Sequence, residues 1–154
     1  MEREFLPEKR FMARALELAR EAALAGEAPV GAVVVRGGEI LGEGRNRREA
    51  LQSPLAHGEM EAMERAAGKL GSWRLTGCQL YVTLEPCPMC AGAAVNARIE
   101  RIVFGTEDLA AGCCGTAANV LTLPGAFHPK VYRGFLEEEC RALLEGFFRD
   151  LRGN

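Results

Sequence analysis

Apolar positions first recur along the chain with a helical period. Met12, Leu16, Ala19 and Ala23 stand three or four apart within Glu8 to Ala25, and Gly26 follows, so a first helix is expected over 8–25. The period then collapses. Ala28-Pro29-Val30-Gly31 leads into Ala32-Val33-Val34-Val35, Gly37-Gly38 signals a hairpin, and Glu39 to Gly44 returns as a second strand. Gly31, at the strand's edge, either lets a ligand come close to the backbone or simply bends the chain. A polar loop holding Asn46 follows, with no turn partner that requires that residue. After Ser53-Pro54 a second helix is expected to start near His57, with Met60, Met63 and Ala67 as its core stripe and Gly71-Ser72 as its end.

The second half shows the same alternation of elements. Gln79 to Leu84 runs apolar instead of alternating, as a central strand covered on both faces does. It delivers the chain to Cys87 to Ala97, a third helix whose Ala91, Gly92, Ala93 and Ala94 permit close packing. Arg101 to Phe104 is the next strand. Gly105 to Asn119 is a long, glycine-punctuated loop of the kind that is usually functional or mobile. Val120 to Leu123 forms a short helical or extended piece, and Val131 to Phe135 a last strand. Leu136 to Leu151 is an amphipathic helix with Leu143, Leu144, Phe147, Phe148 and Leu151 on its buried side. The order α-β-β-α-β-α-β-loop-β-α predicts an α/β fold, one mixed sheet of five strands with helices on both faces, in a single domain over 1–154.

Composition narrows the classes. With 48% hydrophobic residues the chain is too apolar for disorder. The first ten residues are charged and unlike a signal peptide, and no run approaches the roughly 20 apolar residues of a membrane span. Six cysteines in such a chain fit a reducing compartment, so a cytoplasmic protein is expected. Cys78, Cys113, Cys114 and Cys140 read as buried or loop thiols rather than disulfide partners. Nineteen basic against 21 acidic residues give a net charge of −2, so any nucleic-acid contact must be local. Arg45, Arg47 and Arg48 bracket Asn46, Arg98 and Arg101 flank a helix end, and Arg149 and Arg152 lie near the C-terminus. Each group, taken alone, is more often a solvated face than a phosphate clamp.

Candidate chemistry gathers in two short stretches, His57-Gly58-Glu59 and Pro86-Cys87-Pro88-Met89-Cys90. One imidazole and two thiols are three ligands for a zinc ion, leaving the fourth tetrahedral position to water. Two thiolates neutralise the ion, and its water then ionises near neutral pH. Glu59 is the candidate proton carrier beside the ligand His57. Cys87 and Cys90, three apart, share a helical face, and prolines at a helix start lose no internal hydrogen bond. A helix N-terminus also favours thiolates. His57 and Glu59 are two apart, about 200° on a regular helix, so both reach one site only if His57 stands at the helix start. H-x-E…P-C-x-x-C is the signature of zinc nucleobase deaminases. The competing readings are a redox C-x-x-C pair, a core pair of thiols, and a structural zinc site completed by Cys113, Cys114 or His128. Asn46, whose amide can donate and accept, suits reading a base edge, although a turn-forming asparagine is the commoner case.

Longer blocks resemble the bacterial tRNA-specific adenosine deaminases (the TadA family) of the zinc-dependent cytidine/deoxycytidylate deaminase superfamily. They are Ala28-Pro29-Val30-Gly31-Ala32, Asn46-Arg47, Ala56-His57-x-Glu59, the run Leu80 to Ala93, Val103-Phe104-Gly105, Pro124-Gly125, Glu138-Glu139-Cys140 and Phe147-Phe148-Arg149. The resemblance implies a three-layer α-β-α cytidine-deaminase-like fold, one zinc ion per subunit and no organic cofactor. It further implies a homodimer acting on the wobble adenosine of a tRNA anticodon stem-loop. Carried over, His57, Cys87 and Cys90 hold zinc, Glu59 shuttles protons, and Asn46 holds the purine edge between Val30 and Leu84. Asp108 would touch a neighbouring sugar and Phe148 would line the anticodon groove. Departures cluster near the substrate: Gly58 where the family has Ala, Ser53-Pro54-Leu55 for Asp-Pro-Thr, Phe127 for Asn, and Leu109-Ala110-Ala111 after Asp108. Two alternatives stay open, a deaminase of a free base such as cytosine or guanine and a zinc-stabilised RNA-binding module without turnover.

Overall fold

The computed structural model describes residues 4–153. Five helices longer or shorter alternate with five strands: α1 (Lys9–Leu24), β1 (Gly31–Arg36), β2 (Glu39–Arg45), α2 (Arg48–Leu51), α3 (Gly58–Leu70), β3 (Gln79–Leu84), α4 (Pro88–Asn96), β4 (Arg101–Thr106), β5 (Lys130–Tyr132) and α5 (Glu137–Arg152). The strands form one sheet in the order β2-β1-β3-β4-β5. β1 pairs antiparallel with β2 and β3, while β3-β4 and β4-β5 are parallel. The expected mixed five-stranded sheet is thus present.

Alternation along the strands makes the layers. Ala32, Val34, Leu80, Val82, Ile102 and Phe104 face one side, where Ala62, Met63 and Ala66 of α3 and Ala91 and Ala94 of α4 cover them. Val33, Val35, Tyr81 and Val103 face the other, under Met12, Ala15 and Leu16 of α1 and Cys140 of α5. Period-2 side chains with both faces covered produce the unbroken apolar run seen in β3. Among the described residues no helix is long and apolar enough to cross a membrane.

Glycines set the spacing on both sides. A Cβ on Gly31 would fall inside contact distance of the Ala15 carbonyl oxygen and 2.6 Å from Ala19 N, so α1 lies directly on that backbone. The close neighbour at Gly31 is therefore a helix. On β2, a Cβ at Gly42 would meet the Ala62 carbonyl and one at Gly44 the Gly58 carbonyl, both in α3. Real Cβ atoms do not tolerate such contacts, so α3 is seated on the β2 backbone with no side chain between.

Four details differ from the sequence pattern. A single helical turn, α2, follows Asn46, whose Oδ1 accepts the Arg48 N–H at 3.0 Å, so that asparagine does form a turn. β5 ends at Tyr132, because Gly134 (φ 77°) and Leu136 (φ 54°) leave the extended region. Val120 to Leu123 is neither helix nor strand; the chain there is tied by the bridge between Cys114 and Asn119. On α5 only Cys140 is buried, and Leu143 packs beside it. Phe148 and Leu151 are exposed, at 43% and 61%, because the helix meets the sheet through its first half.

Candidate active site

His57 occupies the N-cap of α3 and Cys87 the N-cap of α4, each with extended backbone, and Cys90 lies in the first turn of α4. Pro88 follows Cys87 at the head of α4, where its missing N–H costs no helical bond. Because α3 and α4 cover the same face of the sheet, their first turns meet. His57 Nδ1 stands 3.6 Å from Cys87 Sγ and 3.5 Å from Cys90 Sγ. The three donor atoms lie within 4.8 Å of one another, a group that could hold a metal ion. Among the described residues no fourth His, Cys, Asp or Glu joins them. His128 is exposed and pairs with the Leu123 carbonyl at 2.9 Å, and Cys113 and Cys114 lie buried elsewhere in the 105–119 loop. The fourth-ligand candidates thus stay out of the cluster.

The three groups shift one another's proton affinities through their hydrogen bonds. Hydrogen bonding from Cys90, and then from His57, outweighs burial and pulls the Cys87 thiol down to about 3. The same bond to Cys87, with burial added, pushes the Cys90 thiol far up. The bond with Cys87 likewise raises His57 against the effect of burial. Two sulfurs and a ring nitrogen so placed suit zinc, whose closed-shell ion takes S and N donors tetrahedrally.

Glu59 sits beside this cluster on the first turn of α3, 3% exposed, with Oε1 lacking any hydrogen-bond partner. Burial pushes its carboxyl above the ordinary carboxylate range. The His57 N-cap position resolves the 200° problem, since the ligand leaves the helix axis before the helical period begins. Gly58 between them is a packing residue as well. A Cβ there would stand 3.1 Å from Arg45 Cα and from the Gly44 carbonyl.

His57, Glu59 and Cys87 line a cavity of about 230 Å³ that also brings together Val30, Asn46, Arg48, Leu84, Glu85 and Asp108. That volume lies below the roughly 300–1,000 Å³ of sites for drug-sized ligands, so the cavity suits a small ligand. A second groove continues from it, sharing Val30, Leu84 and Asp108 and adding Leu109, Leu144 and Phe148. Phe148, Arg149 and Arg152 carry the groove onward along α5. Every candidate residue but Cys90, which is buried behind the cavity lining, therefore lies in the cavity or in this continuation, and Phe148 belongs only to the latter. Three other arginines are committed: Arg47 pairs with Glu61 at 2.8 Å, Arg101 with Glu100 at 2.6 Å, and Arg98 bonds the C-terminal end of α4.

Two carboxylates that motif spacing did not single out hold the loops in place. Glu27, 2% exposed, accepts the backbone N–H of Glu49 at 2.9 Å and Ala50 at 2.8 Å, which fixes the turn bearing Asn46. Glu85 accepts three N–H groups of the 105–119 loop. Each acidic residue stands alone beside an apolar run and within two residues of a proline, Glu27-Ala28-Pro29 and Leu84-Glu85-Pro86, and that isolation was the available signal.

Residues 7–152 match the family model described as MafB19-like deaminase. The tRNA-specific adenosine deaminase of Bacillus subtilis is 49% identical over 143 residues, covering 92% of this chain and 89% of that one. That of Aquifex aeolicus is 42% identical over 144 residues, covering 94% and 95%. A solved structure from work on A-to-I editing by tRNA:A34 deaminases superposes with a TM-score of 0.84 at 39% identity, over 89% of this chain and all of that one. The likeness runs through the helix starts that carry His57, Glu59, Cys87 and Cys90, and the chain belongs to the MafB19-like deaminase family.

Proposed function

We propose that this protein hydrolyses the wobble adenosine of a tRNA anticodon loop to inosine and ammonia, using zinc held by His57, Cys87 and Cys90. One observation carries the reading: the three donors converge beside Glu59, a buried carboxyl with a free oxygen, and His57, Cys87 and Glu59 line a base-sized cavity. When bound, zinc supplies the activation of the attacking water. Glu59, not a ligand, takes the proton released from that water, delivers it to N1 of the purine, and then assists the amine at C6 as it leaves. Burial raises its proton affinity, which suits a group that takes up and passes on a proton. Asn46 uses Oδ1 for its turn and keeps its NH₂ for the purine edge. Val30 and Leu84 flank the ring as apolar walls.

The continuation of the cavity supports a polynucleotide over a free base. A lone base needs no groove beyond it, whereas splayed loop nucleotides do. Phe148 offers a face for stacking, and Arg149 and Arg152 offer charge at the far end. Such a local track suits a chain whose net charge is −2. The reading includes a homodimer, supported by the apolar groove where exposed Leu55 and Trp73 join Met60 and Ala93. It also includes the cytoplasm, supported by six free cysteines.

Ammonia release tests the reading, comparing an anticodon stem-loop with free adenosine, cytosine and guanine. Turnover of the stem-loop is expected to dominate. The free-base arm matters because a solved structure titled as a guanine deaminase from Nitrosomonas europaea superposes with a TM-score of 0.80 at 25% identity over 94% of this chain and 86% of that one. Preference for a free base would reject the RNA substrate, and bound zinc with no turnover of anything would favour a binding module.

A further inference from the structure

The cavity holds two buried carboxylates, and their surroundings divide the labour between them. Glu59 keeps an oxygen unpartnered. Glu85, whose side chain is fully buried, keeps none. Its Oε1 accepts the Asp108 N–H at 3.1 Å, and its Oε2 accepts the N–H groups of Cys114 at 3.0 Å and Thr116 at 3.2 Å. We propose that Glu85 is a positioning residue. Its carboxylate pins both limbs of the 105–119 loop and so sets the wall, bearing Asp108 and Leu109, against which the polynucleotide lies. This rests on the RNA reading given above, because the wall matters most to a substrate extending past the cavity.

Three features support a clamp built for a carboxylate. Three N–H donors converge on one side chain, and only a group made solely of acceptors satisfies them all. Gly112 is folded against it, so that an added Cβ would stand 2.5 Å from the Glu85 carboxyl carbon and 2.6 Å from the Asp108 carbonyl. Arg133, between β5 and α5, closes the outside: it donates to Thr116 Oγ1 at 2.5 Å and stands 4.0 Å from Glu85 Oε1 and 3.6 Å from Glu107. The loop then shapes Asp108 itself. The Asp108 Oδ1 accepts the Ala110 and Ala111 N–H groups at 3.0 and 3.1 Å, and its carbonyl accepts that of Gly112 at 2.9 Å. A change at Glu85 therefore reaches the wall shared by the cavity and the groove.

Glu85→Gln and Gly112→Ala test this from opposite sides of the contact. An amide has one acceptor oxygen, so Glu85→Gln sets an NH₂ against at least one N–H. For inosine formation on the stem-loop, KM is expected to rise about tenfold, the ratio equivalent to one charge-assisted hydrogen bond, with kcat within about threefold. Zinc content should be unchanged, amide exchange should quicken within 107–118 alone, and Gly112→Ala should do the same. The double variant should be no worse than the worse single one. A fall in kcat at unchanged KM, loss of zinc, or unchanged loop exchange in both variants would overturn the proposal. Should Glu85→Gln fail to fold, Gly112→Ala decides by the same readouts. If the unsubstituted protein deaminates no stem-loop, the RNA reading falls, and loop exchange still decides whether Glu85 holds the wall.

Discussion

His57, Glu59, Cys87 and Cys90 ride on the first turns of two helices, whereas Asn46 and Asp108 ride on loops. The helix starts are fixed by packing: α3 is seated on the glycines of β2, and α4 follows directly from the central strand β3. The loops are fixed by charge-assisted bonds reaching 22 to 31 residues along the chain, from Glu27 to Glu49 and from Glu85 to Thr116. Packing of backbone on backbone leaves few alternative arrangements. A carboxylate holding N–H groups can be released one bond at a time. The site thus combines an invariable place for the His57, Cys87 and Cys90 donors with walls that are separately adjustable.

The largest expected effect breaks the helix-start end. Cys87→Ala should lose both metal and turnover, while Glu59→Ala should keep its zinc and lose turnover by about 10²–10⁴-fold, the range for removing a general acid–base group. Metal analysis beside steady-state kinetics checks both. Zinc loss in Glu59→Ala would contradict its role, and intact metal in Cys87→Ala would refute ligation.

Gly44→Ala attacks the seat beneath α3. Its Cβ would meet the Gly58 carbonyl and lie 2.8 Å from Ala62 N, backbone that cannot rotate aside. A destabilisation of about 1–3 kcal/mol is expected, read as the urea midpoint. Activity should fall with it, since His57 and Glu59 move with the helix.

Glu27 gives the smallest and most graded effect. Burial pushes its carboxyl up, but the N–H groups of Glu49 and Ala50 and the charges of Arg45 and Arg47 hold it below its ordinary value of 4.5. A depressed value stabilises the fold above the unfolded value, and that contribution is lost as pH falls through the folded one. The stability gap between the unsubstituted protein and Glu27→Gln should therefore be widest at neutral pH. It should close as the medium is acidified below 4.5. Glu43, held down chiefly by Arg14, titrates in both proteins and leaves some acid sensitivity in the variant. Unfolding midpoints across that range check it, and parallel curves would show that Glu27 is not the titrating group.

The same contrast governs what the amino-acid pattern conveys. The donors at helix starts are legible because the constraint is local: C-x-x-C after a strand, with prolines around it, has few ways to fold. β3 is legible because two covered faces leave an uninterrupted apolar run. The α2 turn is not, since four residues are too short for a period and their shape comes from Asn46 and Glu27. Nor are the partners of Glu85, because a carboxylate's hydrogen bonds carry no spacing rule. Phe148 and Leu151 share the apolar stripe of α5, but periodicity shows which face is apolar and says nothing of where the sheet beneath it stops.

The seam between Gly42 and Gly44 of β2 and the helix above them has no padding. Nothing there can be enlarged without lifting the hydrolytic apparatus off its foundation. Adaptation to a different client must therefore be written in the flanking loops, and comparison of such proteins by what they modify should begin at Asn46 and Asp108.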